Sequence, residues 1–267
     1  MINPKKSLGQ HFLKDGNTIR KIAAALPADP ERDLVIEIGP GTGMLTKNLL
    51  ERYQNVRAVE IDQRAVAVLK ESFPELDVIH GDVLKISWDR LLEGYTLSGS
   101  MKPDSAGVHI IGNLPYFITS QILFGILEQR NRLRTATLMM QKEVAERLIA
   151  RPNTKEYGIL SVQVQLMSTP AILFDVPPTV FHPPPKVVSS VVQLTFDQPE
   201  LACRDSHLKT VVRMAFQQRR KKLSNALKRI GELPEHPDFD FDARAGAWPP
   251  GTYEKLTAYL EQLGTLS

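Results

Sequence analysis

An α/β fold with a parallel sheet, followed by a smaller helical part, is what the pattern of this chain predicts, and three observations carry the prediction. Between residue 34 and about residue 196, short apolar runs rich in β-branched residues alternate with stretches of helical spacing, the rhythm of strands joined by crossover helices. Successive runs close on Gly39, Glu60, Asp82 and Asn113, and the carboxyl edge of such a sheet is where ligands bind. From about residue 201 the spacing is helical throughout, interrupted by Pro234, Pro237, Pro249, Pro250 and Gly251. The chain therefore divides into an α/β part, 1–198, and a helical part, 199–267.

The elements follow in order. Residues 1 to about 20 read as a basic lead-in carrying Lys5 and Lys6, then a helix. Leu34–Ile38 is a strand, Gly39-Pro40-Gly41-Thr42-Gly43 a tight turn, and Met44–Leu50 a helix with apolar residues at helical spacing. Gly39 and Gly41 let backbone approach a ligand closely, and the helix start offers free N–H groups to an anionic group. A dinucleotide fingerprint needs a third glycine at 44, where Met44 stands, so an NAD oxidoreductase is disfavoured. Glycines so spaced also make purely structural turns, and the loop by itself leaves that role open.

The run 56–62 places Glu60 at a strand end about 20 residues past the glycines, where a carboxylate accepts both hydroxyls of a ribose. The run 78–82 repeats the arrangement, with Asp82 placed to accept from an adenine amino group. Acids at strand ends also cap helices, a role that stays open for both. The run 108–112 ends in Asn113-Leu114-Pro115-Tyr116, 70 positions after Gly43. An exocyclic amine on a base is a poor nucleophile because its lone pair is delocalised into the ring. Acceptors that draw on its N–H hydrogens return density to nitrogen. The Asn113 carboxamide oxygen and the Leu114 carbonyl are the candidate acceptors. Pro115 limits where that carbonyl points, and Tyr116 offers a face for base stacking, worth about 1–3 kcal/mol. Asn-x-Pro-Tyr also occurs as an ordinary strand end; its place in line with the glycine turn is what favours a base site.

Farther on, 135–140 reads as a strand, 142–150 as a helix, 188–196 as a late strand and 98–107 as a loop. The C-terminal part has helices over 208–218, 222–230 and 253–263. Pro177, Pro178, Pro183, Pro184 and Pro185 stiffen the chain around Phe181. That ring either stacks opposite Tyr116 or sits in the core beside a turn.

Gly39-Pro40-Gly41-Thr42-Gly43, Glu60, Asp82 and Asn113-Leu114-Pro115-Tyr116 resemble the successive motifs of S-adenosylmethionine-dependent adenine-N6 methyltransferases. Ser7-Leu8-Gly9-Gln10-His11-Phe12-Leu13, Phe181-His182-Pro183-Pro184-Pro185-Lys186-Val187 and Ala215-Phe216-Gln217-Gln218-Arg219-Arg220-Lys221-Lys222-Leu223 resemble the KsgA (RsmA) family of small-subunit ribosomal RNA adenine-N6 dimethyltransferases. The resemblance spans nearly the whole chain. It implies a Rossmann-like S-adenosylmethionine-dependent methyltransferase sheet with a small all-helical C-terminal domain. The implied cofactor is S-adenosyl-L-methionine, with no metal. The implied reaction places two methyl groups on N6 of each of two adjacent adenosines in the 3′-terminal hairpin of 16S rRNA, a step of ribosome biogenesis.

The same resemblance assigns roles. Asn113, Leu114, Pro115, Tyr116 and Phe181 fall at the target adenine; His11, Leu13, Gly39, Gly41, Glu60, Asp82 and Asn113 fall at the cofactor. Many relatives have Asn where this chain has His11. Lys5, Lys6, Lys186, Arg219, Arg220, Lys221 and Lys222 fall on the RNA. Two kinds of relative share the core with a different outcome: large-subunit dimethyltransferases of the macrolide-resistance type, which usually have Ile at the position of Leu114, and non-catalytic nucleic-acid-binding proteins.

Composition sets the remaining bounds. The chain has 267 residues, 42% of them hydrophobic, enough for a sizeable core and a small second domain. It shows neither a run of about 18 apolar residues nor a charged-then-apolar leader, which points to a cytoplasmic protein without a membrane span. Lone Cys203 forms no disulfide within the chain, and the six His lack zinc spacing. The net charge of +3 conceals a segregation: 204–229 holds nine Lys or Arg against Asp205, while 231–267 holds seven acids against Arg244 and Lys255. Arg219-Arg220-Lys221-Lys222, with Lys5 and Lys6, is the footprint expected of phosphate contacts, although basic runs on helices are commonly solvated faces. No feature marks an obligate protein partner.

Overall fold

The computed structural model describes residues 2–5, 8–95 and 106–266; Lys6, Ser7 and 98–105 of the expected loop lie outside them. The chain divides into two compact units, one made of Met1–Ala145 with Ala171–Phe196 and the other of Glu146–Pro170 with Asp197–Ser267. The expected boundary after 198 lies two residues from Phe196, while Glu146–Pro170 groups with the C-terminal segment. The reason is tertiary: that segment holds a helix whose apolar face is covered by helices from the end of the chain.

The elements of the chain are β1 (Phe12–Leu13), α1 (Gly16–Ala24), β2 (Leu34–Ile38), α2 (Met44–Leu50), β3 (Asn55–Glu60), α3 (Gln63–Ser72), β4 (Asp77–His80) and α4 (Trp88–Leu91). There follow β5 (Val108–Asn113), α5 (Thr119–Glu128), β6 (Thr135–Gln141), α6 (Lys142–Leu148), α7 (Ile159–Met167), β7 (Thr169–Val176), β8 (Phe181–His182) and β9 (Ser189–Thr195). The last helices are α8 (Asp205–Gln217), α9 (Leu223–Ala226) and α10 (Pro250–Gln262).

Seven strands form one sheet in the order β4-β3-β2-β5-β6-β9-β7. From β4 to β6 every pairing is parallel, so the carboxyl ends of β2, β3, β4 and β5 share one edge. Every residue of β2 is buried, as a strand covered on both faces must be. At Gly112 the backbones of β5 and β2 come close: a Cβ there would lie 2.6 Å from the Ile38 carbonyl oxygen. β9 departs from the all-parallel expectation and runs antiparallel to β6. Apolar alternation shows that a strand exists but not its direction, so the run 188–196 by itself carries no mark of the reversal. β7, not read from the sequence, alternates exposed and partly buried residues at the sheet's edge, where Pro170 is tolerated.

A second sheet pairs β1 with β8 antiparallel, Phe12 opposite His182 and Leu13 opposite Phe181. Side chains alternate across a strand, so Leu13 and Phe181 share one face, and both are buried in the hydrophobic core.

In the other unit, α7, α8 and α10 pack on one another with the rings of Tyr157, Phe216 and Tyr253 in contact. The Tyr157 hydroxyl donates to the Trp248 carbonyl at 2.8 Å and that of Tyr253 to Ala245 at 2.6 Å, so neither buried phenol lacks a partner. The helix expected over 222–230 is instead α9 followed by a single 3-10 turn, Lys228–Ile230. α8 ends at Gln217. The basic run 219–222 is therefore a connection between helices and not a helix face.

Candidate active site

The carboxyl ends of β2, β3, β4 and β5 open onto one cleft of about 760 Å³, solvent at its mouth included. Gly39 and Gly41 line it after β2, Glu60 at the end of β3, Asp82 after β4, and Asn113-Leu114-Pro115-Tyr116 after β5. His11 enters from the N-terminal segment.

Gly39 and Gly41 have φ of 70° and 57°, a region where a side chain costs roughly 1–2 kcal/mol. A Cβ on Gly41 would also come within 2.8 Å of the Phe12 ring. The turn thus keeps its backbone bare toward the cleft and aims the Gly41 N–H at Glu60 Oε2, 2.9 Å away. Glu60 Oε1 accepts the Asp62 N–H at 2.8 Å. Each carboxylate oxygen retains a further lone pair, the arrangement that two ribose hydroxyls require. Burial raises the Glu60 pKa, and the N–H donors of Asp62, Gly41 and Ile61 oppose it. The cap of α3 is Asp62, which accepts the Arg64 N–H, so Glu60 is released from that role. Asp62 is held well below the usual carboxylate range, first by its hydrogen bond with Arg64. Asp82 accepts the Leu84 N–H at 3.0 Å, while Ser87 caps α4.

Asn113 is fixed by one contact. Its Nδ2 donates to the His11 carbonyl at 3.0 Å, and because a carbonyl only accepts, the orientation of the carboxamide follows. Oδ1 is left as an acceptor in the cleft. The Leu114 N–H is bound to the Met139 carbonyl at 3.0 Å, and the Pro115 carbonyl accepts from Ile118 N–H and Thr119 Oγ1. The Tyr116 hydroxyl lies 2.7 Å from Ser189 Oγ, and its ring stacks on His11 with centroids 5.6 Å apart at 24°. His11 Nδ1 is 2.7 Å from the Pro183 carbonyl, so Nδ1 carries the proton and donates.

Phe181 is 1% exposed and Leu13 7% exposed, and neither lines the cleft. Pairing of β1 with β8 turns both into the core, and the ring that meets Tyr116 is His11. Other residues escaped the sequence reading. Gln10 Nε2 donates to Asp62 at 3.2 Å, tying the N-terminal segment to the end of β3. Glu37, buried in the middle of β2, accepts the Thr46 hydroxyl at 2.6 Å, and burial pushes its carboxyl up to about 8. An acid inside the apolar run Leu34–Ile38 was the available signal.

The cations expected on RNA divide by partner. Lys5 Nζ is 3.6 Å from Asp62. Arg219 donates to the Thr154 carbonyl at 2.9 Å and Lys222 to Asp242 at 3.0 Å. Arg220, Lys221 and Lys186 are exposed. Lys6 lies outside the described residues.

Residues 1–242 match the family described as ribosomal RNA adenine dimethylase. The chain belongs to that family. This dimethylase is 48% identical over 266 residues to "Ribosomal RNA small subunit methyltransferase A" of Salinibacter ruber, covering 97% of this chain and 85% of the relative. It is 43% identical to the protein of the same name from Porphyromonas gingivalis, over 98% and 99% of the two chains. Among solved structures it resembles a dimethyladenosine transferase from Plasmodium falciparum, with a TM-score of 0.76 at 26% identity over 95% of this chain and 98% of that one. It also resembles the 23S rRNA methyltransferase ErmE, with a TM-score of 0.65 at 27% identity over 94% and 100%. The dimethylase thus has the Rossmann-like sheet of S-adenosylmethionine-dependent methyltransferases together with a helical C-terminal unit. Among the described residues, no group of three or more His, Cys, Asp or Glu is placed to hold a metal ion, and no helix is long and apolar enough to cross a membrane.

Proposed function

We propose that this dimethylase, acting in the cytoplasm, transfers methyl groups from S-adenosyl-L-methionine to N6 of two adjacent adenosines in the 3′-terminal hairpin of small-subunit 16S rRNA. The Asn113 carboxamide carries the reading. Its nitrogen is committed to the His11 carbonyl, its oxygen is left to accept from an amine, and the ring of Tyr116 stands beside it in the same cleft as Glu60. Identity of 43–48% to small-subunit methyltransferases, against 27% to ErmE, favours the small subunit.

The bound cofactor supplies an electrophilic methyl carbon on a sulfonium. Glu60 takes the ribose hydroxyls on its remaining lone pairs, Asp82 takes the adenine amine, and the bare backbone of Gly39 and Gly41 admits the cofactor's body. Tyr116 holds the target base by its face, while Asn113 Oδ1 and the Leu114 carbonyl accept from N6. These contacts align nitrogen with the methyl carbon, and such alignment supplies about 7–11 kcal/mol of the barrier. No strong base is needed: as the N–C bond forms the S–C bond would break, leaving a neutral thioether, the two oxygens would stabilise the positive charge developing at nitrogen, and the N6 proton, acidic only then, would pass to solvent. Methyl transfer to unmethylated small subunits, with the product nucleotide mapped, tests the reading; modification only of large subunits, or of none, overturns it.

Glu60→Ala is expected to weaken binding of S-adenosylmethionine by about 10- to 150-fold, the loss of charge-assisted hydrogen bonds worth about 1.5–3 kcal/mol. Calorimetry that finds unchanged affinity in a folded variant removes Glu60 from the site.

For the RNA, Arg220 and Lys221 are the members of the basic run whose side chains make no ion pair or hydrogen bond among the described residues, whereas the side chains of Arg219 and Lys222 are tied to Thr154 and Asp242. Replacing Arg220 and Lys221 together by Gln is expected to flatten the log–log salt dependence of subunit binding by about 1.4–1.8, or 0.7–0.9 per phosphate contact. Cofactor affinity should not change. An unaltered slope would reduce the run to a solvated surface. Lys5, Lys6 and Lys186 are assigned to the same backbone contacts.

A further inference from the structure

Phe117 is 63% exposed, the most exposed large hydrophobic side chain among the described residues. It stands between Tyr116 and Ile118, both of which line the cleft, without lining it itself. The Ile118 N–H bonds back to the Pro115 carbonyl at 3.2 Å, so Tyr116 and Phe117 are the two central residues of a turn that sends their rings apart. Tyr116 goes into the cleft and Phe117 to its rim. The Phe117 ring rests on Gly9: a Cβ at Gly9 would lie 3.0 Å from ring atoms Cδ1 and Cε1. Gly9 also has φ of 59°, so this floor is a glycine for both reasons. One side of the ring is supported by backbone and the rest is left to solvent.

A large apolar ring left in water beside a nucleobase cleft is placed to meet the substrate when it is bound. We infer that Phe117 is a substrate-contacting residue that stacks the nucleotide next to the adenosine held in the cleft. The inference rests on the proposed reaction. Drawing one of two adjacent adenosines into the cleft strips its neighbour of a stacking partner, and a ring one residue away from Tyr116 replaces it. The face of an aromatic ring accepts any base, so Phe117 serves the nucleotide on its side of the cleft whichever of the two adenosines is inside. The same enzyme can then treat both in turn.

The test compares methyl transfer on unmethylated small subunits carrying both target adenosines with transfer on subunits in which one of them is replaced by an abasic nucleotide. On the intact substrate, Phe117→Ala is expected to lower kcat/KM by about 5- to 160-fold, mainly through KM, the range that one base–aromatic stack spans. Cofactor affinity should be unchanged, and Phe117→Trp should restore most of the loss. On the abasic substrate the unmutated enzyme should lose a similar factor, and Phe117→Ala should lose nothing more. Additive losses would overturn the assignment, as would a Phe117→Ala enzyme with undiminished kcat/KM on the intact substrate, which leaves the ring to a protein partner. Failure of the unmutated enzyme on intact subunits defeats the proposed reaction and not this contact alone.

Discussion

Asn113→Ala is expected to lower single-turnover methyl transfer by about 10²- to 10³-fold at saturating cofactor, with the fold and RNA affinity near those of the unmutated protein. The size follows from removing one preorganised polar contact to a charge that develops only in the transition state, a loss of about 2.7–4 kcal/mol. The contact is preorganised because Nδ2 is already bound to the His11 carbonyl at 3.0 Å. Substrate binding therefore need not orient the amide. Asn113→Asp should fare no better: it retains an acceptor but sets a carboxylate oxygen against that carbonyl, with no donor between them. Neither variant touches the exposed cations, so subunit affinity is the control. Near-normal rates in a folded Asn113→Ala enzyme would refute the catalytic role.

Glu37→Gln is expected to change how stability depends on pH. Burial raises the Glu37 carboxyl from 4.5 to about 8, and the neighbouring Glu60 adds to the shift. A raised acid binds its proton more tightly in the folded protein than in the unfolded chain. Its stabilising contribution is therefore complete below pH 4.5 and is lost as the pH climbs through about 8. The gap is worth at most about 5 kcal/mol at 1.36 kcal/mol per pH unit. Gln keeps an acceptor for the Thr46 hydroxyl, 2.6 Å from Glu37 in the unmutated protein, but cannot ionise. Urea unfolding at pH 5, 7 and 8.5 should show the unmutated protein losing stability relative to Glu37→Gln as the pH rises. Parallel curves would mean that folding leaves the Glu37 pKa where it was.

Much of the catalytic unit was legible from neighbours along the chain. Leu34–Ile38 and Met44–Leu50 were bounded to the residue, because a strand run, a glycine turn and a helical repeat are each set within a few positions. The alignment of Gly39, Gly41, Glu60, Asp82 and Asn113 on one edge followed as well, since parallel strands all place their carboxyl ends together. Other features depend on groups far apart in sequence, and no local pattern carries them. The direction of β9, the transfer of Glu146–Pro170 to the helical unit, and the choice of Asp62 over Glu60 as the cap of α3 are of this kind. The clearest case is the pairing of residues 12–13 with 181–182: it buries Leu13 and Phe181 in the core, while His11 stacks on Tyr116 and binds the Asn113 amide through its carbonyl. Residue types along the chain state which chemistry is available; which groups meet is settled by the register of distant strands, because a side chain's face is fixed only once its strand has a partner.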